Sequence, residues 1–367
     1  MRFTVDTQEF NAGISTVIKA LSSKTSMAIL EGIYIEAREN DVLLKCTDLS
    51  LQIETVIGAT VEEEGKIVLP GRILSEMIRK MPNELTSVNV ENKTAYIESG
   101  RAKTAIKGES SEDYHDMAKI KNSISFKISH NKLKNMIKQC IFATAQDDTK
   151  PILTGVLLEA EGNSVTMVAL DGYRLAMRKE YVSQEVEAEK IVIPYKSLLE
   201  IGRTVTDGDE ELTVNVSKTS INIDMGYTTI TSRLLDGDFI KYRNILPENH
   251  LTRVRISREE LAQSIERVSI ISREEKTNLI SLNFENDKLL ITANSEIGKS
   301  NEEIDADIIG NDIKIAFNSK YMTDVLKTLD DDEIYLEMNN NISPCIIRPL
   351  DGEKFYYLVL PVRHFSE

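Results

Sequence analysis

One pattern occurs three times along this chain, and nothing else in it limits the fold as much. Phe3-Thr4-Val5-Asp6 leads into a helix-patterned stretch over 8–21, followed by apolar runs at 29–36 and 42–48. Phe126-Lys127-Ile128-Ser129 leads into 131–142, then 152–159 and 165–171. Val254-Arg255-Ile256-Ser257 leads into 258–270, then 279–284 and 289–294. Each copy has a second half in the same order. Gly65-Lys66-Ile67-Val68-Leu69-Pro70 precedes a helical pattern over 72–81, Glu189-Lys190-Ile191-Val192-Ile193-Pro194 precedes 195–205, and 311–317 precedes 319–329. Strand patterns follow at 87–91, 211–216 and 333–337. The copies begin at Phe3, Phe126 and Val254, spacings of 123 and 128 residues. Spacings of that size describe domains, not the roughly 20–50-residue units of a solenoid. The reading is three domains in series, 1–121, 122–247 and 248–367.

Within a copy, the helical stretches place apolar residues at i, i+3, i+4 and i+7: Ile14, Val17, Ile18 and Leu21 in the first, Leu133, Met136, Ile137 and Cys140 in the second. The strands alternate, as in Ser87-Val88-Asn89-Val90-Glu91, so one face is buried and one solvated. Turns are marked at 161–163, 207–209 and 236–238, each built around a glycine. Each copy is therefore an α+β domain, with helices on one side of antiparallel sheets.

Several classes of function lack support. The longest apolar run, 355–362, is far shorter than the ~18 residues of a membrane helix, and the N-terminus has no signal-peptide core, so a cytoplasmic protein is expected. Cys46, Cys140 and Cys345 are too scattered for a disulfide framework or a zinc site, and the four histidines show no ligand spacing. The segment 58–66 has the wrong glycine spacing for a phosphate loop and carries three glutamates. Acidic clusters at 147–148, 207–211 and 330–333 read as solvated turns, though an enzyme holding a metal there for a phosphorylated ligand is the rival reading. That enzyme has no nucleophile or base with a recognisable motif. Neither a cofactor nor a metal is expected.

The charge is unevenly spread. The six helical stretches together carry +6, whereas the whole chain carries −15, so the remainder carries −21. Either the helices bear ordinary solvated lysines, or they line one surface that attracts a polyanion while the rest repels it. Two segments also look specialised: Asp171-Gly172-Tyr173-Arg174-Leu175 after a strand, and 236–247 between the second and third copies. They read as a turn and a linker whose aromatics plug a junction. The apolar end, Tyr357-Leu358-Val359-Leu360-Pro361-Val362-Arg363, is a last strand or one wall of a groove for a peptide.

The threefold repeat, Ala169-Leu170-Asp171-Gly172-Tyr173-Arg174-Leu175-Ala176, the 236–247 linker and the ending Leu358-Val359-Leu360-Pro361-Val362-Arg363 together resemble the bacterial DNA polymerase III beta subunit, the DNA sliding clamp, over essentially the whole chain. The resemblance implies a non-catalytic processivity factor with the DNA clamp fold. It implies a head-to-tail homodimer, a ring around duplex DNA bound without regard to sequence. It also implies tethering of a polymerase catalytic subunit, a clamp loader and other proteins that carry short clamp-binding motifs. A diverged second clamp serving repair or stress replication is the alternative.

Carried over position by position, the peptide groove maps onto Leu153, Leu170, Gly172, Tyr173, Arg174, Leu175, Ile240, Asn244, Ile245, Pro344, Leu358, Val359, Leu360, Pro361, Val362 and Arg363. DNA contacts map onto Lys24, Arg72, Lys150 and Lys196. The seam of the ring maps onto Arg101, Lys103, Thr104 and Ile106 of one subunit, facing Ile270, Ile271, Glu302 and Glu303 of the other. The chain departs from the family pattern at Asn244, where arginine is common, and at Thr104, where a well-known member has an aromatic ring.

Overall fold

The computed structural model describes residues 1–22, 25–82, 84–118, 120, 124–147, 149–274 and 278–363. The first copy of the repeat runs β1 (Arg2–Asp6), α1 (Thr7–Val17), β2 (Gly32–Arg38), β3 (Asp41–Thr47), β4 (Leu51–Gly58), β5 (Thr60–Glu63), β6 (Gly65–Pro70), α2 (Gly71–Ile78), β7 (Leu85–Glu91), β8 (Thr94–Ser99) and β9 (Ala102–Lys107). The second runs β10 (Ile124–Ser129), α3 (His130–Cys140), β11 (Gly155–Leu170), β12 (Arg174–Pro194), α4 (Tyr195–Thr204), β13 (Glu211–Val216), β14 (Ser220–Asp224) and β15 (Thr228–Arg233). The third runs β16 (Thr252–Ser257), α5 (Arg258–Glu274), β17 (Leu279–Glu285), β18 (Lys288–Ser295), β19 (Gly298–Asp305), β20 (Asp307–Gly310), β21 (Ile313–Asn318), α6 (Ser319–Leu326), β22 (Glu333–Met338), β23 (Cys345–Pro349) and β24 (Phe355–Val359).

These elements pack into two compact units, one of residues 1–131 and 196–234, the other of residues 132–195 and 235–367. The first unit holds a five-stranded sheet, β5-β1-β7-β8-β9, and an eight-stranded sheet, β10-β13-β14-β15-β4-β3-β2-β6. The second holds a seven-stranded sheet, β11-β12-β24-β23-β22-β16-β20, and a four-stranded sheet, β19-β18-β17-β21. All strand pairs between these elements are antiparallel. Two of the sheets therefore join strands from different copies of the repeat, through β4 with β15 and through β12 with β24.

Local chemistry explains the helices. Asp6 caps α1, its carboxylate accepting from the Gln8 and Glu9 N–H groups at 2.8 and 3.0 Å. The stripe Phe10, Ile14 and Val17 is fully buried, and Phe10 meets Phe3 edge-on at 6.1 Å. Gly13 lets α1 settle on its sheet, since a Cβ there would stand 2.8 Å from the Leu44 side chain. In the third copy α5 buries Leu261, Ile265 and Val268 against β17–β19 and α6.

Element boundaries differ from the periodic reading in several places; α2, α3 and α6 end at Ile78, Cys140 and Leu326, short of the expected 81, 142 and 329. The first helix leaves α geometry at Ile18 and closes in a 3₁₀ turn over Ile18–Ala20. α5 continues to Glu274, beyond the expected 270. The runs expected as strands from 29 and from 152 start as 3₁₀ turns, Ala28–Glu31 and Pro151–Thr154, and become strands only at Gly32 and Gly155. The turns aim Leu30 and Leu153 inward, and apolar runs this short carry no signal that separates a turn from a strand.

Candidate functional site

The expected groove residues all fall in the second unit, and three of them, Leu170, Leu175 and Leu358, share one sheet face. On adjacent strands β12 and β24, Leu175 lies opposite Leu358, and Ile346 of β23 lies opposite Leu358 on its other side. Leu153 comes from the 3₁₀ turn before β11 and Leu170 from the end of β11. All of these side chains belong to one buried cluster, which Tyr242 of the 236–247 linker completes. The expected Tyr173, Ile240, Ile245, Leu360 and Val362 are exposed apolar residues, while Ile152, Met177, Phe239, Leu246 and Tyr356 pack against the cluster; the Val362 N–H donates to the Ala316 carbonyl of β21 at 2.8 Å. Asn244 and Arg363 are exposed, while Pro344 and Pro361 are half-buried. Val359 points to the opposite face of its strand from Leu358 and is fully buried, so it supports the wall without lining it. Tyr242 and Ile346 were missed at the sequence level. The alternation of β23 and β24 is the signal that could have found Ile346.

Polar groups hold the rim in place. Gly172 takes φ +92 in the turn between β11 and β12, and the Asp171 carboxylate accepts from the Tyr173 and Arg174 N–H groups at 2.9 and 3.0 Å. The Leu360 N–H donates to the Tyr173 carbonyl at 2.9 Å, tying the end of the chain to that turn. The buried Arg174 donates to Asp171 at 3.1 Å, to Asp324 and to the Phe142 carbonyl at 2.7 Å. Its guanidinium lies 4.6 Å from the Tyr321 ring centre and 5.3 Å from that of Phe142. Arg174 is thus a pillar under the turn, its donors spent on protein partners.

A second anchor fixes the linker. The buried Glu159 carboxylate accepts from the Tyr242 hydroxyl at 2.7 Å, from Arg243 at 2.7 Å and from Lys190 at 2.9 Å. Burial pushes its pKa up, but the bonds from Lys190 and Tyr242 and the charges of Arg243 and Lys190 outweigh burial and hold it below the ordinary value. The resulting stabilisation is present above the unfolded carboxylate pKa of about 4.3 and disappears as pH falls through the depressed folded value. We expect the thermal midpoint of Glu159→Gln to lie below wild type at pH 7 and to converge on it only as pH falls through the depressed folded value. Parallel pH-dependent melts measure this, and a constant gap would show that Glu159 acts by packing alone.

The corresponding place in the first unit is chemically different. Hairpin register equates Leu170 and Leu175 with Thr47 and Gln52, and hence Val168 and Met177 with Lys45 and Glu54. Lys45 is buried there, paired with Asp116 at 2.7 Å and with Glu54 at 3.9 Å, while Gln52 accepts from the Met117 N–H at 2.9 Å. A polar network occupies that position in the first copy, and an apolar cluster occupies it in the second.

Of the four expected DNA contacts, Lys24 lies outside the described residues. Arg72 and Lys196 are each the second residue of a helix, α2 and α4, behind Pro70 and Pro194, and both are exposed. Lys150 is exposed just ahead of the Pro151–Thr154 turn. Lys196 donates to Asp48 at 2.8 Å. Burial pushes the Asp48 carboxyl up, but Lys196 and the N–H groups of Leu51 and Ser50 hold it below its usual value.

The expected seam residues fall on two sheet edges. β9, the last strand of the five-stranded sheet, carries Lys103, Thr104 and Ile106 with Arg101 just before it. β19, at one end of the four-stranded sheet, carries Glu302 and Glu303, and Ile270 is exposed on α5, the helix that packs on β19. Ile271 is half-buried. Arg267 donates to Glu302 through Nε and Nη2, each at 2.7 Å, and Glu303 stands 3.8 Å from Lys288. Strands in the place of β9 are already paired in the other copies, β15 with β4 and β24 with β12. β9 and β19 are the two members of that arrangement left as edges.

Of the acidic clusters, Asp148 lies outside the described residues; Asp147 accepts from the Thr149 N–H at 3.2 Å, Asp209 accepts from Asn131 at 3.0 Å and Asp331 pairs with Lys354 at 2.6 Å. Among the described residues no three His, Cys, Asp or Glu side chains converge as metal ligands, and no helix is long and apolar enough to cross a membrane. The three cysteines are free and buried, and burial pushes the thiols of Cys140 and Cys345 up to about 12.

Three family models match in series: the N-terminal domain of the DNA polymerase III beta subunit over residues 1–118, its central domain over 127–241 and its C-terminal domain over 243–363. The beta sliding clamp of Staphylococcus epidermidis is 32% identical, with 100% of each chain covered. The DNA polymerase sliding clamp of Bacillus subtilis superimposes with a TM-score of 0.96 at 32% identity, covering 100% of both chains. The Thermotoga maritima DNA polymerase III beta subunit gives 0.92 at 28% identity, covering 99% of this chain and 100% of that one.

Proposed function

This chain belongs to the DNA polymerase III beta subunit family, the sliding clamps, and from that premise we propose that two copies close head to tail around duplex DNA. The clamp is a non-catalytic processivity factor: it holds a polymerase on its template and performs no chemistry itself. The observation that carries the ring is the pair of unused edges. The chain twice joins one copy of its repeat to the next by the same strand pairing, and β9 with β19 of a second chain repeats that pairing. Transferring the internal register sets Gly298 opposite Ile106, Ser300 opposite Thr104 and Glu303 opposite Arg101. Opposite charges then meet beside an apolar patch that includes Ile270, which fixes which ends join.

DNA is held by charge and enclosure. The helical stretches carry a net positive charge in a chain of −15, and Arg72, Lys150 and Lys196 offer exposed cations for phosphates. Contacts of this kind carry no sequence information, so the ring slides. The groove over Leu153, Leu170, Leu175 and Leu358 takes Leu and Phe side chains of a short motif from the polymerase, the clamp loader and other clients.

Retention on DNA tests the proposal. Rings loaded on a nicked circle are expected to stay through gel filtration at moderate salt and to leave once the circle is linearised. Equal loss from both forms would rule out topological holding.

A further inference from the structure

We infer that a cleft beside the groove binds an acidic segment of the same peptide whose apolar residues fill the groove; this rests on the groove reading above. The floor is continuous. Leu175 and Met177 alternate onto one face of β12, Leu358 and Tyr356 onto the same face of β24, and the pairs Leu175–Leu358 and Met177–Tyr356 are adjacent rungs. The first rung lies in the buried cluster, and the second is partly buried against it. Beyond the second rung the face opens into a cleft of about 410 Å³.

Its walls are cationic. Lys179 is the next residue along that face of β12, Arg348 comes from β23 and Arg243 from the linker, with Glu353 the one carboxylate in the lining. Lys179 has no carboxylate partner among the described residues, its ammonium standing 5.2 Å from the Tyr181 ring centre. Arg348 lies over the Tyr356 ring at 6.0 Å and stands 3.7 Å from Glu337. Arg253 bonds the other oxygen of that carboxylate at 2.8 Å, so its charge is shared between the two arginines. Arg243 is paired with Glu159 yet keeps 62% of its side chain exposed. A chain of net charge −15 has thus built a locally positive, aromatic-floored slot next to its apolar one.

Such a slot suits the carboxylates of an extended peptide, whose charge-assisted bonds strengthen over a partly dry floor. Apolar anchoring next door raises the effective concentration of an attached acidic segment to the millimolar range, so weak ion pairs suffice.

The test uses three synthetic peptides, titrated by fluorescence anisotropy against the full-length dimer. One carries a Leu/Phe anchor with a Ser/Gly extension, one the same anchor with an Asp/Glu extension, and one the acidic stretch alone. We expect the acidic extension to tighten binding at least tenfold at low salt. That gain is expected to vanish in Lys179→Glu/Arg348→Gln while the Ser/Gly peptide binds unchanged. Lys179→Glu alone, which leaves Arg348 beside Glu337, is expected to remove about threefold and serves if the double variant folds poorly. Equal affinity for the two anchored peptides, or a gain that survives in the variants, would overturn the inference. Should neither anchored peptide bind, the groove reading fails separately. The acidic stretch alone then decides: salt-sensitive binding lost in Lys179→Glu supports the cleft, and no binding refutes it. A short DNA duplex that displaces only the acidic peptide would assign the cleft to nucleic acid and also overturn the inference.

Discussion

A clamp carrying Leu175→Ala and Leu360→Ala is expected to bind a Leu/Phe-bearing peptide at least a hundredfold more weakly than wild type while remaining a dimer. Leu175 forms the buried floor and Leu360 the partly exposed rim of the same slot. Filling it buries apolar surface of the peptide against both, and a side chain of this size is worth about 1.5–3 kcal/mol when fully covered. Losing much of two such contacts exceeds the roughly 2.7 kcal/mol that a hundredfold represents. Leu175→Ala also removes core volume, with an expected stability cost of about 2–5 kcal/mol. Leu360→Ala alone is the control: it should leave the thermal midpoint within a degree or two and still weaken binding about tenfold. Unchanged affinity in the double variant would place the peptide elsewhere.

The second large effect concerns the seam. Arg101→Glu/Lys103→Glu is expected to sediment as a monomer near 41.3 kDa, and Glu303→Arg to dissociate at least tenfold more readily than wild type. Mixed together, the two variants are expected to recover a species of about twice that mass. One interface of the mixed ring then has both charges native and the other has both reversed, and head-to-tail joining is the arrangement that makes this so. Like charges directly across a strand pair destabilise, and a two-seam ring suffers the penalty twice when either variant pairs with itself. A dimer that survives Arg101→Glu/Lys103→Glu, or a mixture that stays monomeric, would remove β9 and β19 as the seam. Glu302 is left untouched in this design because its bidentate bond to Arg267 ties β19 to α5 within one chain.

Much of this was legible before any coordinates. The repeat, its α+β alternation and the six helices follow from residue spacing, because i, i+4 and i, i+2 neighbours share a face whatever the rest of the chain does. Asp6 ahead of Gln8 and Glu9 marks a helix start by chemistry that is wholly local. The 3₁₀ turns before β2 and β11 were not legible. Nor was the division of the central copy between the two units, with α3, β11 and β12 in one and β10, α4 and β13–β15 in the other, save for the first two residues of α3 and the first of α4.

The site divides along the same line. Leu153, Leu170, Leu175 and Leu358 could be named from motif resemblance, yet only strand pairing shows that Tyr242 and Ile346 complete their cluster. Resemblance also named residues near β9 and β19, but their standing as the free edges depends on β15 having taken β4 and β24 having taken β12. The amino-acid order by itself determined three look-alike modules, their elements and their apolar anchors. Only the tertiary structure decided which edges stay open, and which hairpin ends on an apolar cluster while its counterpart holds the polar network of Lys45, Gln52 and Asp116. Periodicity is a property of neighbours, whereas an open edge or a cluster gathered from several strands depends on partners a hundred or more residues away in the chain.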